Sequence, residues 1–92
     1  MNKDLLTVIV ICCIVHLQRF GQTTTEDYIN SGVVKGANGD FKGAKTDFTH
    51  ALNLEPKNDD AFYNRGVAER YLGNYQASID DNTKAIEINL RR

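Results

Sequence analysis

FKGAKTDFTHALNLEP, residues 41 to 56, is the stretch whose reading decides the fold. Its apolar residues Phe41, Ala44, Phe48, Ala51, Leu52 and Leu54 recur at intervals of three and four, the spacing of one face of an α-helix. Pro56 closes that helix, because it cannot donate to a continuing ladder and disfavours the helical region for Glu55. Moved forward by 34 residues, Phe41 falls on Tyr75, Ala44 on Ser78, Asp47 on Asp81, Thr49 on Thr83, Ala51 on Ala85, Leu52 on Ile86 and Leu54 on Ile88. Upstream, the same shift carries Tyr28 onto Phe62, Asn30 onto Asn64, Gly32 onto Gly66, Val33 onto Val67 and Gly39 onto Gly73. A helix-turn-helix unit of this length cannot bury its own apolar face, so copies must stack and share a core. The expected fold is therefore all-α, two antiparallel helix pairs, with one repeat over 25–58 and the next over 59–92.

The helix boundaries follow from local chemistry. Thr23 with Glu26 three residues later has the form of a capping box, which starts a first helix running to about Asn38. That helix is weak by propensity: Gly32 and Gly36 each cost about 1 kcal/mol relative to Ala, and Val33 and Val34 are β-branched. Close helix packing is the expected compensation. Asn38-Gly39 lacks the alternating flanks of a β-hairpin and reads as a tight helix-to-helix turn, with Asp40 capping the second helix. Asn58, Asp59 and Asp60 supply a cap and favourable charge for the third helix, which runs to Gly73-Asn74. Tyr75, Ile79, Ala85, Ile86 and Ile88 carry the fourth. Two positions depart from the period: Asn82 stands where Phe48 stood, and Leu90 where Pro56 stood.

Residues 1–22 differ in kind. Lys3, the apolar run Leu5 to Val15 and the small Gly21 follow one another in the order of a secretory signal peptide. A run of this length covers only about half of a bilayer core at roughly 1.5 Å per residue. The expectation is an exported chain, periplasmic or secreted, with residues 23–92 as the working domain. Arg19 lies three positions before a cut after Gly21, where a small residue is usual, so the alternative is an uncleaved anchor formed by residues 5–17. Both cysteines, Cys12 and Cys13, lie inside the run, so a processed chain carries no disulfide or thiolate metal site. Net charge is −1, with Arg91 and Arg92 the only adjacent basic pair, which argues against nucleic acid.

Nothing in the pattern points to catalysis, a metal or a cofactor. His50 has Asp47 three residues before it, which reads as an exposed helical pair rather than a base and its orienter. The acidic pairs Asp59-Asp60 and Asp80-Asp81 have no histidine at ligand spacing and read as solvated surface. No Gly-rich phosphate loop and no nucleophile motif is present.

With period, residue types and helix pairs assembled, the chain resembles the tetratricopeptide repeat family. Tyr28, Gly32, Gly39, Phe41, Ala44, Phe48, Ala51 and Pro56 fill the family pattern in the first repeat, and Phe62, Gly66, Gly73, Tyr75, Ser78 and Ala85 fill it in the second. Ser31 and Arg65 depart from it, standing where Leu is usual. The resemblance implies a right-handed superhelical stack whose inner face accepts a protein or peptide partner. On that face it places Glu26, Ile29, Asn30, Val33 and Ala37 from the first repeat, and Asp60, Tyr63, Asn64, Val67, Arg70 and Tyr71 from the second. Ile29 and Val33 could instead cover a neighbouring helix, and Tyr63 and Tyr71 could be surface residues. Asn30 and Asn64 are the most pointed pair, because a side-chain amide can hold a peptide backbone in register. Asn64 also matches an Asn of the family's chaperone-tail binders, but the cations completing their carboxylate clamp are missing, so that ligand is not expected.

An alternative places function on the last helix. At least three repeats usually make a stable array. A pair of them would then be a structural unit that stacks on a second copy or on another repeat protein through Ile79, Ile86 and Ile88.

Overall fold

The computed structural model describes residues 23–92. The segment read as a signal peptide or anchor lies outside the described residues. Four helices follow one another, α1 (Thr25–Ala37), α2 (Phe41–Leu54), α3 (Asp59–Tyr71) and α4 (Tyr75–Leu90). They form two antiparallel pairs, α1 with α2 and α3 with α4, joined by packing of α2 against α3. The all-α helix-pair architecture expected from the period is the one observed.

Most starts and stops are those the sequence implies. The Asp40 carboxylate accepts from the Gly43 N–H at 2.9 Å, and Asn58 Oδ1 accepts from the Ala61 N–H at 2.9 Å. The first cap sits one residue later than expected. Thr24, not Thr23, accepts from the Asp27 N–H, while the Asp27 carboxylate accepts from the Thr24 N–H at 3.0 Å. Adjacent threonines offer the same hydroxyl, so the register that turns Tyr28, Ile29 and Gly32 towards the core selects between them. Both helix pairs turn on a glycine with positive φ, Gly39 at 86° and Gly73 at 84°. In each turn the backbone donates twice into the helix just ended: Gly39 to Gly36 O and Asp40 to Lys35 O, Gly73 to Arg70 O and Asn74 to Glu69 O. This is the Schellman closure, and it needs a residue that tolerates the left-handed region.

The core is thin and made mostly of alanine. Ala44, Phe48 and Ala68 form one cluster, with Ile29 and Phe41 packed against it. Ala51, Leu52 and Ala61 form the other, with Tyr28, Ile29 and Phe62 alongside. Small side chains let α2 and α3 approach closely, which is how two repeats share one interior. Gly32 has the same role inside the first pair: a Cβ there would lie 2.6 Å from the Phe48 ring. In the second pair the equivalent partners are Gly66 and Asn82, and Asn82 Oδ1 is buried without a hydrogen-bond partner.

Two acidic residues assigned to the surface are in fact interior. Asp47 is buried, accepting from the Ser31 hydroxyl at 2.6 Å and pairing with Lys35 at 3.0 Å, while His50 stays exposed and stacks on Tyr28. Asp81 is buried too and takes a two-pronged bond from Arg65, both contacts at 2.8 Å. Ser31 and Arg65 are the two departures from the Leu pattern, and Asp47 and Asp81 are their partners, 34 residues apart in each case. Asp47 and Asp81 are the buried groups, and the polar residues at the Leu position are what satisfies them. Asp59 is also drawn in, by Arg92 at 2.8 Å, whereas Asp60 and Asp80 are exposed.

The ion pairs set protonation. Burial works against the Asp47 carboxylate, but the Ser31 hydroxyl and Lys35 prevail and hold it below its ordinary value. Burial likewise opposes ionisation of Glu69, yet Lys45 across the repeat boundary, at 2.9 Å, helps pull its carboxyl down. The bond to Asp81 raises the Arg65 guanidinium further above its usual value. Arg65 also donates to Thr49 at 3.3 Å, so the boundary between repeats is tied twice by polar contacts.

Candidate functional site

α1 and α3 lie side by side with α2 behind them, and the space between is a groove of about 380 Å³. Its floor is the face of α2 that carries Phe41, Ala44 and Phe48. Val33, Gly36 and Ala37 line it from α1, and Asn64, Val67 and Tyr71 from α3. One wall is aromatic: Phe41 and Tyr71 stack at 4.4 Å with their planes 4° apart. Val33 and Tyr71 remain 48% and 59% exposed, so the apolar surface is open rather than already covered.

Sequence expectation and geometry meet here in part. Val33, Asn64, Val67 and Tyr71 come together in the groove, with Ala37 beside them. Arg70 stands exposed next to Tyr71, its guanidinium carbon 5.4 Å from the ring centroid. Asn30 is exposed but does not line the groove. Ile29 turns inward and packs on both core clusters. Tyr63 lines a different depression, of about 450 Å³, with Asn82, Ala85 and Ile86. The floor residues and Gly36 were legible only as packing positions. A helical face read from one segment does not say which of its edges a neighbouring helix leaves uncovered.

The isoleucines of α4 do not make one surface. Ile79 and Ile86 are exposed and seven residues apart, about two turns, so they share a face. Ile88 is half-buried on the other side of the helix, in a third depression with Lys57, Lys84 and Arg91. At about 100° per residue, two positions beyond Ile86 is roughly half a turn away. Among the described residues no cluster of His, Cys, Asp or Glu could hold a metal ion, and no helix is long and apolar enough to cross a membrane.

Comparison with known families matches tetratricopeptide repeat models to residues 28–58 and again to residues 59–90. The chain belongs to the tetratricopeptide repeat family. Among curated relatives, Hsp70-Hsp90 organizing protein 2 of Arabidopsis thaliana is 38% identical over 52 residues, 56% of this chain and 9% of that protein. The Tetratricopeptide repeat protein 36 homolog of Nematostella vectensis is 35% identical over 63 residues, 68% of this chain and 35% of that protein. The chain thus spans well under half the length of either relative. With two tetratricopeptide repeats the chain is a protein–protein interaction module. The groove lies between the first helix of each repeat and is floored by the second helix of the first.

Proposed function

We propose that the chain docks a segment of a partner polypeptide in the groove between α1 and α3, with Asn64 holding the segment's backbone. The observation that carries this reading is the groove itself, apolar and open, with the half-buried Asn64 amide in its lining. Exposed Val33 and Tyr71 supply contact surface that the fold does not use. The similarity to a protein named for organizing two chaperones supports a protein partner of some kind. The missing cations separate this groove from a clamp for an acidic tail. Export under the direction of residues 1–22 completes the reading.

Selection of a displayed random-peptide library on the 92-residue chain tests it. Selected peptides should lose at least about tenfold in affinity, roughly 1.4 kcal/mol, on Asn64→Ala or Tyr71→Ala, and be unaffected by Ile79→Ser. Peptides sensitive only to Ile79→Ser would reject the groove.

A second reading has one observation in its favour. Tyr63, Asn82, Ala85 and Ile86 line the second depression, and 34 residues earlier stand Ile29, Phe48, Ala51 and Leu52, the surface on which α3 packs in the first repeat. A further repeat helix, from a second copy or another repeat protein, would seat there in the same register.

A further inference from the structure

The groove is selective by its chemistry, and this inference rests on the docking reading above. None of the groove-lining side chains carries a charge, and the one able to donate and accept hydrogen bonds from its amide is Asn64. A charged side chain pushed into such a space would lose water without gaining a partner. The volume lies at the low end of the roughly 300–1,000 Å³ typical of ligand clefts, enough for an inserted side chain but not for a folded element.

Gly36 is the second observation. It stands in the last turn of α1, one residue before the helix ends, where a glycine costs less than the roughly 1 kcal/mol relative to Ala of a helix interior. Unlike Gly32, it is not required by helix contact, because a Cβ there would meet only Ala44 Cβ, at an ordinary 3.8 Å. Its missing side chain leaves room in the groove.

The third is charge at the rim. Among the described residues the Arg70 guanidinium is paired with no carboxylate. It lies over the outer aromatic wall at Tyr71. Of the charges flanking Phe41 and Gly36 in sequence, Lys35 is engaged by Asp47 and the Asp40 carboxylate by the α2 cap, while Lys42 is exposed.

We infer that the groove takes a partner segment bearing one bulky uncharged side chain, inserted between Val33, Gly36 and the Phe41–Tyr71 wall, with a carboxylate residue beside it to meet Arg70. Shape and burial provide the anchor, and the rim cation sets which neighbour is accepted.

The probes are three acetylated and amidated Gly/Ser peptides differing only in a central pair, Phe-Asp, Phe-Lys or Ala-Asp. Each is titrated into the isotope-labelled 92-residue chain while backbone amide shifts are followed. Phe-Asp should move Val33, Gly36, Val67 and Tyr71. Ala-Asp should bind about tenfold or more weakly, and Phe-Lys several-fold more weakly. Gly36→Leu should fill the space and abolish the shifts while leaving the melting temperature no lower. Arg70→Glu, an exposed change, should reverse the preference between Phe-Asp and Phe-Lys. Groove shifts that are equal for all three peptides, or that survive Gly36→Leu, overturn the anchor and leave groove docking standing. Shifts confined to Tyr63 and Ile86, or none with any peptide, overturn both.

Discussion

Asp47 shows at the scale of one residue how this small protein tolerates polar groups inside. It sits in the interior because Ser31 and Lys35 reach it, and its carboxyl is held below the ordinary range although burial alone would raise it. Glu69 shifts in the same direction, against burial, through Lys45. A carboxylate whose folded value is depressed contributes stability that is fully present above its unfolded value, near 4, and is lost as pH falls through the folded value. Unfolding free energy should therefore be nearly level from about pH 7 to 5 and decline below about pH 4. Asp47→Asn keeps an acceptor for Ser31 but loses the charge facing Lys35. We expect it to cost about 1–2 kcal/mol at pH 7, with the difference from the native chain closing near pH 3. Denaturant titrations at several pH values measure this, and a gap that stays constant down to pH 3 would show that the carboxylate is not the source.

At the scale of the element, α4 is the less finished copy of α2. Phe48 fills the space opened by Gly32, whereas Asn82 leaves an amide oxygen buried against Gly66 without a donor. An unsatisfied buried acceptor costs about 1–3 kcal/mol. Asn82→Leu removes it while keeping the same branching and number of side-chain heavy atoms, and should raise the unfolding free energy by about 1 kcal/mol, read from the denaturant midpoint at unchanged slope. A fall in the midpoint would mean that the amide has a role in α3–α4 pairing that apolar packing cannot replace. The substitution of aromatic by amide was visible in the repeat alignment. The buried oxygen was not, because it depends on how closely α3 approaches α4.

For the molecule as a whole, the docking and stacking readings assign different surfaces. The first uses Val33, Asn64 and Tyr71, and the second uses Tyr63, Ile79 and Ile86. Self-association would stabilise the fold by mass action and make melting depend on concentration. If the groove is the working surface, the melting temperature of the 92-residue chain should stay constant within about 1 °C over a hundredfold range of concentration. A rise with concentration, abolished by Ile86→Lys, would move the function to the α3–α4 face.

Sequence alone determined the helix pairs, the 34-residue period, the glycine turns at Gly39 and Gly73, and the family, because each rests on spacing along the chain or on one residue's backbone freedom. Only the tertiary structure decided that Asp47 and Asp81 are interior, that Tyr63 and Tyr71 face different depressions, and that Ile88 turns away from Ile86 into a depression of its own. Exposure of a helical residue depends on which neighbouring helix covers that side, and no periodicity within the helix carries that information. The same holds for Gly36. Its cost to α1 can be read from the residue itself, but the room it leaves exists only once α2 and α3 are in place.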